Sequence, residues 1–341
     1  MNILFLDSEK SVSKLLNIKS IASCHTVEFD GNRYFGLPDI FFFEKYDVIL
    51  YLNFQNRANH LIIEQVNKIG ISTVFISDGI YDWDNCFNNY THKFFSLFTY
   101  YQLDSKYVFY CGDDINLRYL SKRNYGTEFI SYIPFRNRVK GDEEVVCKEF
   151  DILITTANTA YFNDEEFFSL STLINKTLSC CDDLNLSYKL RIFDKRLVNS
   201  LNFSKEIDNV TSGDISELAV KARAVIATPS SLNIDVSQLD IPIGTYLYRD
   251  FPSQHTGGWI IFSDLDIKRV LRELLDNKSV KYKERMLYQK IMLEQEINDN
   301  NLIEMVKSDK RCVDSNLIGK KTSYFSYFIS FVLFNLRKAF K

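Results

Sequence analysis

The stretch "VIATPSSLNIDVSQLDIPIG" (225–244) carries four structural signals in succession. Its first apolar run, continued back to Ala224, predicts a buried strand. Thr228-Pro229-Ser230-Ser231 marks a turn into a helix, because serine is a preferred helix-start residue. The helix runs on from Leu232, and "IPIG" opens a second apolar strand. Unpaired backbone N–H groups, the positive end of the helix dipole and two hydroxyls converge where strand meets helix. That combination is an anion site, most naturally for phosphate. Asp235, one turn further, is placed to accept hydrogen bonds from ribose hydroxyls. The same residues also describe an ordinary serine cap worth ~1 kcal/mol, with Asp235 favouring the dipole.

The alternation extends outward in both directions. "NILFLD" (2–7), "DVILYL" (47–52), "STVFIS" (72–77), "YVFYC" (107–111) and "EFISYI" (128–133) form one set of strand-like runs. "DILITTA" (151–157), "YKLRIF" (188–193), "AVIATP" (224–229) and "IPIGTYLY" (241–248) form a second. Continuous Ile/Val/Leu/Phe runs separated by amphipathic stretches predict parallel strands covered on both faces by crossover helices. The fold class expected is α/β, with two Rossmann-like domains facing a cleft. Between the sets lies "RNRVKGDEEVVCKEF" (136–150), charged and glycine-containing, which reads as a linker. The expected domains are 1–140 and 151–300, followed by a separate C-terminal segment, 318–341.

That segment contains "KKTSYFSYFISFVLFNLRKAFK" (320–341), with five basic residues, no acid and a dense aromatic-aliphatic centre. The centre, Tyr324 to Phe334, is too short to span a bilayer but suits its interface, with lysines and Arg337 meeting anionic headgroups. A peripheral amphipathic helix on the inner membrane face is expected; a terminal helix docked on the protein is the alternative. "MNILFLDSEK" lacks a basic leader region and reads as a first strand, so a cytoplasmic location is expected.

A net charge of −3 over 341 residues gives no case for nucleic acid as a partner. Seven cysteines without CxxC spacing predict buried thiols in a reducing compartment. Four histidines, none at metal-ligand spacing, argue against a structural zinc site.

The run 214–248 resembles the nucleotide-binding segment of GT-B glycosyltransferases: helix, strand, a pair of hydroxyl residues, a helix bearing an acid, and a turn into the next strand. Ser230, Ser231, Asp235 and Pro242 match; Asp240 stands where glycine is usual, and Val236 where alanine is usual. "VFISDGIYDW" (74–83) resembles the acid-glycine motif of bacterial sialyl- and polysialyltransferases and related enzymes of capsule and lipooligosaccharide synthesis. The resemblance implies that Asp78 is the general base that deprotonates the acceptor hydroxyl. Gly79 allows close approach at the same strand end. Asp82 and Asp84 are neighbours able to take that role, and an isolated Asp-Gly is also a common turn.

The family's His-Pro pair is missing. The corresponding strand ends in Asp194-Lys195-Arg196, so Lys195 or Arg196 either neutralises a leaving phosphate or is simply solvated. Thr155, Thr156, Asn158 and Thr159 follow the strand at 151 and offer donor-binding groups, or a capped turn. His255, in "SQHTGG", is an isolated histidine on a loop near the expected phosphate site. The resemblance implies an inverting glycosyltransferase with a nucleotide-sugar donor, probed first as a CMP-sugar, and no metal or other cofactor. The implied acceptor is a bacterial glycan or glycolipid. A UDP- or GDP-sugar enzyme, a CDP-polyol phosphotransferase of the same build, and a non-catalytic assembly partner are the competing readings.

Overall fold

A computed structural model describes residues 1–36, 40–53, 56–80, 103–112, 114–138, 147–202, 208–249, 257–290 and 299–307. These fall into two compact units. The first takes in the described residues up to Asp78, those from 103 to Arg136, and 299–307. The second takes in Asn137 to 290, together with Gly79 and Ile80.

The first unit is built on six parallel strands, β1 (Asn2–Phe5), β2 (Thr26–Glu28), β3 (Val48–Tyr51), β4 (Ser72–Ile76), β5 (Tyr107–Tyr110) and β6 (Glu128–Ser131). Their order across the sheet is β2-β1-β3-β4-β5-β6. Helices α1 (Glu9–Val12), α2 (Ile18–Cys24), α3 (Arg57–Lys68) and α4 (Asp114–Arg123) alternate with the strands. Every residue of β3 and β5 is buried, as a strand covered on both faces requires. The apolar runs announce five of these strands. β2 is the exception: "TVE" is short and partly exposed at the sheet edge, where no continuous apolar run is needed.

The second unit repeats the plan with β7 (Phe150–Thr155), β8 (Tyr188–Arg191), β9 (Ala222–Ala227), β10 (Ile243–Tyr246) and β11 (Trp259–Ile261), ordered β11-β10-β9-β7-β8 and all parallel. Its helices are α5 (Asp164–Asp183), α6 (Lys195–Asn199), α7 (Ile215–Ala219), α8 (Leu232–Gln238), α9 (Ile267–Leu275) and α10 (Val280–Lys290). In α5, Asn163 caps the first turn by accepting from the Glu166 amide, and three acids complement the dipole there. Phe167, Leu170, Ile174, Leu178 and Cys181 recur at helical spacing and enter the core. Gly257 and Gly258 lead into β11 because backbone passes close by. A Cβ at Gly257 would lie 2.5 Å from the Ile243 carbonyl oxygen, and one at Gly258 2.7 Å from that of Arg285. The buried Gln289 secures the same corner, accepting from the Ile243 amide at 2.9 Å and donating to the Ile241 carbonyl at 2.7 Å.

Two sequence expectations need correction. The second domain, read as ending at 300, gives up its last two residues: helix α11 (Asp299–Lys307) belongs to the first unit. Asp299 accepts from the Asn17 amide at 2.8 Å, Asn300 donates to Ser20 Oγ at 3.1 Å, and Leu302, Ile303 and Val306 are buried. The stretch 136–150 read as a linker contains the boundary between the units, at Arg136 and Asn137, and its first residues lie in a 3₁₀ turn (Phe135–Asn137). Buried thiols hold for Cys111, Cys180 and Cys181 but not for the exposed Cys24 and Cys147. Asp82, Asp84, Cys86, residues 139–146, His255, Cys312 and the basic-aromatic segment 318–341 lie outside the described residues. Among the described residues no helix is long and apolar enough to cross a membrane.

Candidate active site

In an open parallel sheet, ligands sit beyond the carboxyl ends of the strands, where the winding direction reverses. Each unit has one such reversal: between β1 and β3 in the first sheet, and between β7 and β9 in the second. The sequence candidates sort onto these two edges.

At the second sheet's reversal the strand ends are laced by threonines. Thr155 Oγ1 donates to the Arg191 carbonyl at 3.1 Å, joining β7 to β8. Fully buried Thr228, after β9, accepts from the Ala157 amide at 2.7 Å, fixing the loop after β7. Thr156 is buried, and its hydroxyl has no hydrogen-bond partner among the described residues. Asn158 and Thr159 follow on the exposed crest of that loop. Ser230 and Ser231 lead into α8, but their roles differ. Ser230 Oγ accepts from the Leu232 amide at 3.3 Å and takes the capping duty. Ser231 occupies the N-cap position with helical angles (φ −60°, ψ −17°) and makes no side-chain cap bond. Its half-buried hydroxyl is therefore not consumed in starting the helix. Both hydroxyls, the amino end of α8 and Thr156 thus fall on loops flanking a single reversal point.

Asp235 is half-buried on α8 and accepts from Asn137 Nδ2 at 2.8 Å. Gln238 of the same helix donates to the Asn137 carbonyl. Asp240, at the family's glycine position, has φ +55° just past the end of α8. A left-handed residue is needed there, and aspartate tolerates that region better than most side chains. The departure from glycine thus keeps the backbone conformation, and Lys290 pairs with the carboxylate.

Arg196 is committed elsewhere: its guanidinium donates to Asp164 at 2.6 Å and lies 3.9 Å from the Phe167 ring centroid. Lys195 is exposed and makes no hydrogen bond or ion pair among the described residues. Asp194 caps α6 through the Leu197 amide at 2.7 Å and accepts from Tyr161.

On the first sheet, Asp78 stands just past β4 with its side chain 59% exposed. Arg136 grips it twice, donating at 2.7 Å to Oδ1 and at 2.6 Å to the backbone carbonyl. The preceding Ser77 carbonyl accepts from the buried Tyr132 hydroxyl, and its amide donates to Phe109. One carboxylate oxygen is thus oriented by arginine, while Oδ2 makes no hydrogen bond among the described residues. Gly79 has φ +126°, a conformation open to glycine, so the Asp-Gly order is set by backbone geometry.

Sequence reasoning misses Arg136, Thr228 and Asp7. Asp7 follows β1, at the first sheet's own reversal point. Its Oδ2 accepts from the Leu52 amide at 2.7 Å, with Asn53 and Asn59 further off. Burial outweighs these hydrogen bonds and pushes its carboxyl above the usual carboxylate range. "FLD" at the end of an apolar run was the available signal. Arg136 had none, being one cation in a charged stretch. No group of three or more His, Cys, Asp or Glu side chains able to hold a metal occurs among the described residues.

No protein-family model matches the chain. A teichoic acid glycerol-phosphate primase of Staphylococcus aureus (strain NCTC 8325 / PS 47) is 25% identical over 193 residues, 56% of this chain. The match spans 43% of the primase, so the chain corresponds to less than half of that protein. Among solved structures, S. aureus MnaA with UDP superimposes with a TM-score of 0.55 at 10% identity, covering 94% of this chain and 99% of that one. The glycosyltransferase SnogD from Streptomyces nogalater gives 0.51 at 11% identity, covering 89% and 100%. Likeness at these identities is likeness of fold: the chain has two parallel-sheet α/β units of the GT-B-like class.

Proposed function

We propose that this chain is a GT-B-type transferase that takes a group from a nucleotide-activated donor and passes it to a glycan or glycolipid acceptor of a bacterial surface polymer. The observation that carries the reading is the contrast between the two reversal points. The second offers hydroxyls and a helix amino end, which favour an anion. The first offers the carboxylate of Asp7, which repels one. The donor's phosphate accordingly belongs to the second unit, on Ser231 and the amino end of α8. Thr156 and Asn158 line the neighbouring loop, and Asp235 reaches the ribose.

Asp78 then serves as the base. As the acceptor hydroxyl oxygen bonds to the anomeric carbon, its proton passes to Asp78 Oδ2 and the bond from that carbon to the nucleotide phosphate breaks. One direct displacement inverts the anomeric centre. The departing charge is met by α8, and no metal is required. Within this proposal the donor is a CMP-sugar and the acceptor a lipopolysaccharide or capsule precursor, by the resemblance of the Asp78-Gly79 motif to sialyltransferases. The segment 318–341 would hold the enzyme at the inner membrane face.

A second reading has a specific observation in its favour, the match to a glycerol-phosphate primase. Here the acceptor oxygen bonds to the polyol-side phosphorus of a CDP-polyol donor, its proton passes to Asp78 Oδ2, the anhydride bond breaks, and CMP leaves. Calorimetric titration with CMP, CDP, UDP and GDP tests the shared premise, and selective binding of one nucleotide is expected. Turnover of CMP-sugar, UDP-sugar and CDP-glycerol, with phosphorus counted in the product, separates the two reactions. Binding of none of the four nucleotides overturns the proposal, and loss of transfer on chelation that a divalent cation restores overturns its metal-free step.

A further inference from the structure

The loop between β7 and α5 is tied to the segment after β10 by an ion pair that the reaction does not use. Arg249 Nη1 lies 3.4 Å from Glu166 Oε2, and the two side chains are only 4% and 7% exposed. Glu166 Oε2 also accepts from the Phe162 amide at 2.8 Å, while Oε1 accepts from Asn163 Nδ2 at 2.7 Å. The Arg249 guanidinium stacks 4.8 Å from the Phe162 ring centroid and 5.2 Å from that of Tyr248. Tyr248 in turn donates its hydroxyl to the Ala160 carbonyl. Residues 160, 162 and 163 are therefore all held from the segment after β10 or through Glu166, and Ala157 is held by Thr228.

Helix capping does not explain this charge. A capping box works with neutral glutamine at the third position, and α5 has two further acids in its first turn. Two buried charges are costly to desolvate, and apolar residues of similar volume often replace such a pair without loss of stability. A device that fixes geometry is the better account. We propose that Glu166 and Arg249 are positioning residues that lock the 156–163 loop so that Thr156 and Asn158 meet the donor nucleotide. This rests on the donor site proposed above and adds how its loop is set.

The experiment compares the parent chain, Arg249→Met, and the double variant Glu166→Gln with Arg249→Met, each titrated with CMP, CDP and UDP. Amide exchange is followed across 157–163 in the absence of nucleotide. Arg249→Met is expected to speed exchange in that loop about tenfold or more, leave the middle of α5 protected, and weaken nucleotide binding about tenfold. The double variant is expected to melt near the parent temperature yet keep the fast loop and weak binding. Parent-like exchange and affinity in the double variant would reduce the pair to a structural role and overturn the inference. If the parent binds none of the nucleotides, the donor reading fails by itself. Loop exchange in the variants still decides: faster exchange retains the locking claim, and unchanged exchange removes it.

Discussion

The two sheets are wound alike, β2-β1-β3-β4-β5-β6 and β8-β7-β9-β10-β11, yet finish their reversal points with opposite chemistry. After β1 stands a carboxylate, Asp7, bonded to the Leu52 amide across the strand ends. After β9 stands a neutral hydroxyl, Thr228, bonded to the Ala157 amide after β7, with donor and acceptor strands exchanged relative to the first sheet. Both residues do the same mechanical work, satisfying an amide that strand pairing leaves over. Only one leaves the edge hospitable to negative charge. A duplicated architecture thus acquires two roles through a few side chains at its reversal points, without any change of topology.

Four experiments bear on that contrast. The largest effect is expected at the first edge. Asp78→Asn removes the proposed base and should slow transfer about 10²- to 10⁴-fold. Calorimetry should find its nucleotide affinity within about twofold of the parent, because the acid belongs to the other unit. A variant that transfers at the parent rate removes Asp78 from the reaction.

Next, Ser231→Asp makes the second edge resemble the first. Two unit charges 4 Å apart repel by ~4 kcal/mol at an effective dielectric of about 20, and half of that weakens nucleotide binding about 30-fold. Unchanged affinity would place the phosphate elsewhere. Third, Thr228→Val keeps the shape but strands the Ala157 amide, for a loss of about 1–2 kcal/mol in denaturant titration. An unchanged midpoint would mean that solvent satisfies that amide.

The smallest effect belongs to Asp7 and has a definite sign. Its folded pKa lies above the ordinary carboxylate value of 3.8, so the native state binds the proton more tightly than the unfolded chain. Its contribution to stability is therefore present in acid and is lost as pH rises from 3.8 through the folded value. Asp7→Asn and the parent should melt alike at the acid end, with the variant gaining relative to the parent toward neutrality. Asp151 and Glu273 in the second unit are shifted the other way: hydrogen bonds from Ser187 and Arg223 outweigh burial at Asp151, and those from Lys281 and Arg269 do so at Glu273. Their contributions are lost as pH falls, so the two units should drift in opposite senses for these groups. A variant-minus-parent difference independent of pH would refute the Asp7 assignment.

What the sequence discloses and conceals follows from range. Strands buried on both faces must be apolar throughout, so nearly all of them stand out as runs. β2 needs no such run at its edge. Local turn chemistry also reads well: Ser230-Ser231 does open a helix, though the division of labour between the two hydroxyls depends on backbone angles that the pair of serines does not announce. Partnerships between distant residues leave no local mark. Arg136 reaches Asp78 across 58 positions and Asn137 reaches Asp235 across 98. Glu166 and Arg249 meet across 83. A charged stretch looks the same whether it is solvated or grips a carboxylate, which is why 136–137 reads as linker. The absent histidine-proline pair leaves Lys195 and Arg196 as sequence candidates, and the Asp164 contact shows what occupies the arginine.

The packing of α11 on α2 dictates an order of assembly during translation. The first unit cannot acquire α11 until residues 299–307 have left the ribosome, whereas every described strand of the second is by then already synthesised. Among the described elements, the unit encoded first thus receives its α11 after all strands of the other unit have been made.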